Sequence, residues 1–105
     1  MPRAQTNPMA TDSRPRFTSR QGQYLAFIHA YTLVIGRPPA EADMQRFFRV
    51  SGPAVHQMVV ALEKARLISR QPGVPRSIGL LVEQTDLPEL QPRHDQPVKT
   101  SVQGY

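Results

Sequence analysis

Eleven of the 105 residues are proline, and their positions decide which stretches can be regular. A proline inside a helix removes a hydrogen bond and collides with the preceding turn, so long helices are confined to the gaps between prolines. Pro2, Pro8 and Pro15 fall in the first sixteen residues, and Pro88, Pro92 and Pro97 in the last twenty-three. Neither end has a periodic apolar pattern. Residues 1–16 therefore read as a flexible basic arm and 83–105 as a flexible Pro-rich tail, leaving one folded unit over 17–82.

Within that unit the first proline-free gap holds "SRQGQYLAFIHAYTLVI", a helix expected from Ser19 to Ile35. Thr18 and Gln21 have the spacing of a capping box. Tyr24, Leu25, Ile28, Tyr31 and Ile35 share one side, Gly36 supplies a left-handed stop, and Pro38-Pro39 prevents continuation. A short second helix, "AEADMQRFF", places Glu41 and Asp43 in its first turn, where the helix dipole favours carboxylates, and turns Met44, Phe47 and Phe48 to the core. Ala40 offers no capping acceptor. After the tight connection "RVS", Ser51 caps a third helix whose first turn accommodates Pro53.

The third helix, "SGPAVHQMVVALEKARLI", has two faces. Val55, Met58, Val59 and Leu62 fall at i, i+3, i+4 and i+7, the stripe of a buried side. Pro53, Gln57, Val60 and Lys64 line the opposite side, flanked by His56 and Ala61. Two helices joined by a tight turn, the second with a free outer face, form the helix-turn-helix pattern. The period then changes from 3.6 to 2, with Ile78, Leu80 and Val82 alternating beyond the turn "QPGVP", so a projecting hairpin flanked by Arg70 and Arg76 is expected. The fold class is mainly α with a small β-hairpin, a three-helix winged helix-turn-helix.

Charge is concentrated in this unit. From Phe17 to Leu81 there are Arg20, Arg37, Arg46, Arg49, Lys64, Arg66, Arg70 and Arg76 against Glu41, Asp43 and Glu63, a net of +5 that equals the net of the whole chain. A basic compact unit suits a polyanionic partner. There is no cysteine, and His29, His56 and His94 are scattered, so neither a disulfide framework nor a metal or other cofactor is expected. No run approaches the ~20 apolar residues of a membrane span, and no signal-like segment opens the chain. A soluble protein of bacterial-type cytoplasm, associated with the nucleoid and without a membrane partner, is expected.

The stretches "FTSRQGQYLAFIHAYTLVIGRPPAEADM" and "SGPAVHQMVVALEKARLISRQPGVPRSIGLL" resemble the N-terminal DNA-binding domain of the LexA repressor family. The Arg20-Gln21 start, the Gly36 to Pro39 corner, "ALEKARLI" and "RSIGLL" carry the likeness in order over residues 17–81. The resemblance implies that the third helix enters a DNA major groove. Departures are specific. The turn before Ser51 is one residue shorter, Ala40 replaces a capping Thr or Ser, and Arg66 stands where Gly ends the family's recognition helix. Pro53, Ala54, His56 and Gln57 stand at its base-reading positions, so the family's own operator is not the expected target. The family's self-cleaving domain is expected to be missing, and self-cleavage and dimerisation through it are not carried over.

Residue chemistry supports the same use of the helix. Gln57 suits adenine, His56 guanine or a phosphate, and Val60 or Ala54 a thymine methyl; Ser51, Lys64, Arg70 and Arg76 suit phosphates. Gln57 is equally compatible with an ordinary solvated position, and Val60 with cover by the wing or a second copy. The expected function is sequence-specific binding of double-stranded DNA by a small regulator, a repressor, with a homodimer as the means of reading two half-sites and no small-molecule ligand. The competing class is a winged-helix protein adaptor. An enzyme is not expected, since Ser51 and His56 point in different directions on one helix.

Overall fold

The computed structural model describes residues 16–91. Its first helix, α1 (Ser19–Ile35), begins at the expected capping box. Thr18 Oγ1 accepts the Gln21 N–H at 3.1 Å while Gln21 Oε1 accepts the Thr18 N–H at 3.0 Å, so each of two otherwise orphaned N–H donors is satisfied by the other residue's side chain. The helix ends at Gly36, where φ is +93°. Tyr24, Leu25, Ala26, Phe27 and Ile28 are all buried, a consecutive run rather than a single stripe, because more than one side of α1 is covered. Phe48 stacks on Tyr24 with ring centroids 4.1 Å apart, and Phe47 lies 4.7 Å from Phe27. One expectation is corrected. Ile35 is 52% exposed and Leu33 and Val34 more so, since the last turn of α1 overshoots the elements that would cover it.

The second helix, α2 (Glu41–Phe48), starts at Ala40, whose N–H is accepted by Asp43 Oδ2 at 2.8 Å. Asp43 thus does more than face the helix dipole: it is buried. Arg49, at φ +59°, reverses the chain after α2, and Ser51 then caps α3 (Gly52–Lys64) by accepting the Ala54 N–H at 3.2 Å. At Gly52 a Cβ would sit 3.3 Å from the Gln45 amide nitrogen, which records how closely α2 and α3 approach at the turn. Val55, Val59 and Leu62 are fully buried as the periodicity predicts, whereas Met58 is only half-buried at the edge of the stripe.

Arg66 takes the left-handed conformation, φ +62°, at the exit of α3. The Leu67 N–H reaches the Leu62 carbonyl and the Arg66 N–H the Glu63 carbonyl, each at 3.0 Å, the paired bonds of a Schellman stop. Leu62 and Leu67, which flank it, are both fully buried. The chain then forms β1 (Ile68–Ser69) and β2 (Gly79–Leu80), antiparallel, with Ile68 opposite Leu80 and Ser69 opposite Gly79. Ile78 is buried and Leu80 and Val82 half-buried, while Leu81 is exposed, the alternation expected of a strand with one covered face. Three helices and a two-stranded hairpin, mainly helical, are compatible with a winged helix-turn-helix.

Ordered structure continues past the boundary expected at residue 82. Beyond it a 3-10 turn, Gln84–Asp86, leads into an extended strap that lies on the N-terminal half of α1. The Gln23 side chain holds the strap through both ends of its amide: Nε2 donates to the Glu89 carbonyl at 3.0 Å and Oε1 accepts the Gln91 N–H at 2.7 Å. Leu87 and Leu90 pack against the core, and a Cβ on Gly22 would stand 3.0 Å from Pro88. Such a strap needs no helical or strand periodicity, which is why its composition reads as a tail. The remainder of the expected arm and tail, residues 1–15 and 92–105, lies outside the described residues.

Candidate nucleic-acid interface

With its stripe of Val55, Val59 and Leu62 fixed in the core, α3 presents Pro53, Ala54, His56, Gln57, Ala61 and Lys64 to solvent. Ser51 is exposed at its N-cap, and Val60 is half-buried at the margin of the face. The seven residues singled out on this helix are therefore brought onto its free side and N-terminal end. No carboxylate stands among the exposed residues of that side, Glu63 lying half-buried toward the hairpin.

His56 is not isolated. Its Nδ1 lies 3.2 Å from Glu41 Oε2, an acidic partner fifteen residues away at the start of α2. A carboxylate only accepts, so this bond places a proton on Nδ1 and leaves Nε2 for another partner. Neutral His56 then offers an acceptor to a ligand, and protonated His56 a donor. Nothing in the sequence signals this pair, because it depends on how α2 crosses α3.

The two hairpin arginines do not stand free at the tip: each is paired with a carboxylate of the body. Arg70 Nε donates to Glu63 Oε1 at 2.9 Å, leaving the Nη groups of a 23%-exposed side chain for any further partner. Arg76 turns inward. Its Nη1 lies 3.1 Å from Asp43 Oδ2, 3.1 Å from Tyr31 Oη and 3.3 Å from the Pro38 carbonyl. Asp43 also pairs with Arg46 across 2.6 Å. Burial by itself would push the Asp43 carboxyl up, but the Ala40 N–H, Arg76, Arg46 and Tyr31 together hold it below the ordinary carboxylate value. Sequence reasoning missed this cluster. The one available hint was that Asp43 and Arg46 stand three apart on a helix.

Within the hairpin turn, Ser77 Oγ accepts the Gln71 N–H at 2.9 Å and sits 2.8 Å from the Val74 carbonyl, so the loop is knitted internally. A shallow cleft separates it from the start of α2, bordered by Pro39, Ala40 and Glu41 on one side and Gly73 to Ser77 on the other. Among the described residues no group of three or more His, Asp or Glu side chains is placed to hold a metal, and no helix is long and apolar enough to cross a membrane.

No family model matches the chain. Individual proteins do. It is 37% identical over 65 residues to a LexA repressor of Geobacter metallireducens, covering 61% of this chain and 32% of that protein. It is 33% identical over 72 residues to a LexA repressor of Thermosipho melanesiensis, covering 69% and 36%. Against a LexA repressor of Bacillus subtilis it is 34% identical over 77 residues, covering 72% and 38%. The chain thus spans about a third of the length of these relatives. Over most of its own length, the protein is similar to LexA repressors.

Proposed function

We propose that the protein is a double-stranded DNA-binding transcriptional regulator, acting as a repressor, in which the exposed face of α3 reads bases in the major groove and the hairpin touches the backbone. The observation that carries the reading is the free side of α3. It holds hydrogen-bonding and small apolar side chains, His56, Gln57, Ala54 and Pro53, with Lys64 and no exposed carboxylate of α3 itself, Glu41 of α2 being paired with His56, on a helix whose other side is locked in the core. A major groove admits one helix, and those residue types match base edges and thymine methyls. Ser51 and Lys64 stand at the two ends of the face, where phosphates run. Arg70 reaches the backbone from the hairpin, oriented by Glu63.

Reading two half-sites a helical turn apart calls for two copies, so a homodimer on DNA belongs to the proposal, as does work in the cytoplasm on the nucleoid. No small-molecule ligand and no catalytic step form part of it: His56 pairs with Glu41 rather than with Ser51, whose oxygen caps α3. The relatives are named repressors, which supports this reading over an activator. A second reading, a protein adaptor, is favoured by one observation, the exposed Leu33, Val34 and Ile35 at the end of α1.

In-vitro selection from random duplex DNA tests the proposal. A preferred sequence is expected, on which Gln57→Ala costs ~1–3 kcal/mol and relaxes preference at one position, with little effect on random DNA. Absence of saturable duplex binding at low salt would instead put the adaptor first.

A further inference from the structure

The hairpin is held to the body by little of its own. Its sheet has two residue pairs, and the nine residues between the strands, Arg70 to Ile78, form no regular structure. The loop is stiff inside, through Ser77, but stiffness inside a loop does not fix where the loop points. Three side chains do that. Arg70, at the loop's start, is paired with Glu63 on α3; Ile78 is buried at the loop's end; and Arg76 reaches back to Asp43 on α2, Tyr31 on α1 and the Pro38 carbonyl in the corner between them. Arg76 is also one of the three non-glycine residues with positive φ, +58°, among the described residues. An arginine keeps that disfavoured backbone only where its surroundings over-determine it, and here the tether of its side chain is the surrounding that does so.

We infer that Asp43 is a positioning residue for DNA binding: by holding Arg76, it latches the loop Gln71–Ser77 beside α3, so that loop and helix meet the duplex in one fixed register. The inference rests on the DNA-binding reading proposed above. Asp43 lies on α2 and is buried, with its carboxylate taken up by Ala40, Arg46 and Arg76, so it touches no nucleic acid itself. Its carboxylate is the common acceptor of three donors, two from α2 and its cap and one from the hairpin: the Ala40 N–H and Arg76 on Oδ2, and Arg46 on Oδ1. The latch pre-orders the loop. Without it the loop must be ordered during binding, and that conformational entropy is subtracted from the affinity.

The test uses the full chain with Asp43→Asn, and Tyr31→Phe as a second, milder variant that removes one acceptor of Arg76 while keeping the ring. Amide hydrogen exchange is followed without DNA, and affinity is measured for preferred and random duplexes. Exchange in residues 71–77 is expected to accelerate while the amides of Val55, Val59 and Leu62 stay protected. Affinity per folded molecule is expected to fall about tenfold on both duplexes for Asp43→Asn, and less for Tyr31→Phe, with unchanged base preference, because the cost is that of ordering the loop on binding. A merely structural role would lower the melting temperature and the folded fraction, yet leave affinity per folded molecule alone. Loop exchange unchanged in either folded variant overturns the latch, whatever the protein binds. Faster loop exchange with unchanged affinity on a duplex that the wild type binds overturns the positioning role. A wild type that binds no duplex overturns the DNA reading and the positioning role with it, an outcome distinguished by the exchange measurement, which contains no DNA.

Discussion

Replacing Arg66 by glycine is expected to make the protein more stable, although it deletes a side chain and a charge. Arg66 stands at φ +62° in the stop that ends α3, with its N–H on the Glu63 carbonyl and the following N–H on the Leu62 carbonyl. Left-handed backbone costs an L-residue about 1–2 kcal/mol, which glycine does not incur. Glycine's freer unfolded chain takes back about 0.4–1 kcal/mol of that. The net expectation is a gain of about 0.5–1 kcal/mol, and in a domain of this size about 1 kcal/mol moves the Tm by about 4–8 °C. From backbone conformation alone a rise of roughly 2–8 °C is therefore expected, with the lost charge working against it. Because a cation at a helix C-terminus is itself favourable by about 0.3–1 kcal/mol, Arg66→Ala is measured alongside: it loses the same charge and keeps the Cβ. Thermal unfolding of the three proteins at one pH and salt separates the two effects, with glycine above alanine by about 1 kcal/mol. Alanine matching or exceeding glycine would refute the view that backbone conformation, rather than charge, sets the cost at this exit.

Three further outcomes follow from the same structure. Leu62→Ala, at a fully buried position, should cost ~2–5 kcal/mol in chemical denaturation, whereas Met58→Ala should fall below that range because Met58 is only half-buried. Gln23→Ala removes the two bonds to the strap, each worth about 0.5–1.5 kcal/mol net, and should accelerate amide exchange and proteolysis in residues 84–91 while leaving the amides of α3 protected. The depressed Asp43 carboxyl fixes the sign of a pH effect: its stabilisation is fully present above the ordinary carboxylate value and is lost as pH falls through the lower folded-state value. The Tm advantage of wild type over Asp43→Asn should accordingly be constant near neutrality and shrink only in acid below the usual carboxylate range; an advantage that grew on acidification would contradict the assignment.

Local features were legible in the chain itself. The capping box of Thr18 and Gln21, the glycine stop at Gly36, the Ser51 cap and the buried trio Val55, Val59 and Leu62 each depend on residues within one or two helical turns of one another, and each stands where the sequence puts it. The free side of α3 was legible for the same reason, since a helix with one buried stripe must expose the opposite one. What only the tertiary structure decided involves partners far apart along the chain. Arg76 meets Asp43 thirty-three residues away and Tyr31 forty-five residues away, and Gln23 meets Gln91 sixty-eight residues away. No spacing rule links such pairs, so the hairpin arginines read as free cations and the strap as a tail. The last turn of α1 shows the converse limit. Leu33, Val34 and Ile35 carry the apolar signal of a buried segment, yet a side chain is buried only where another element arrives to cover it, and at that end of α1 none of the described elements does.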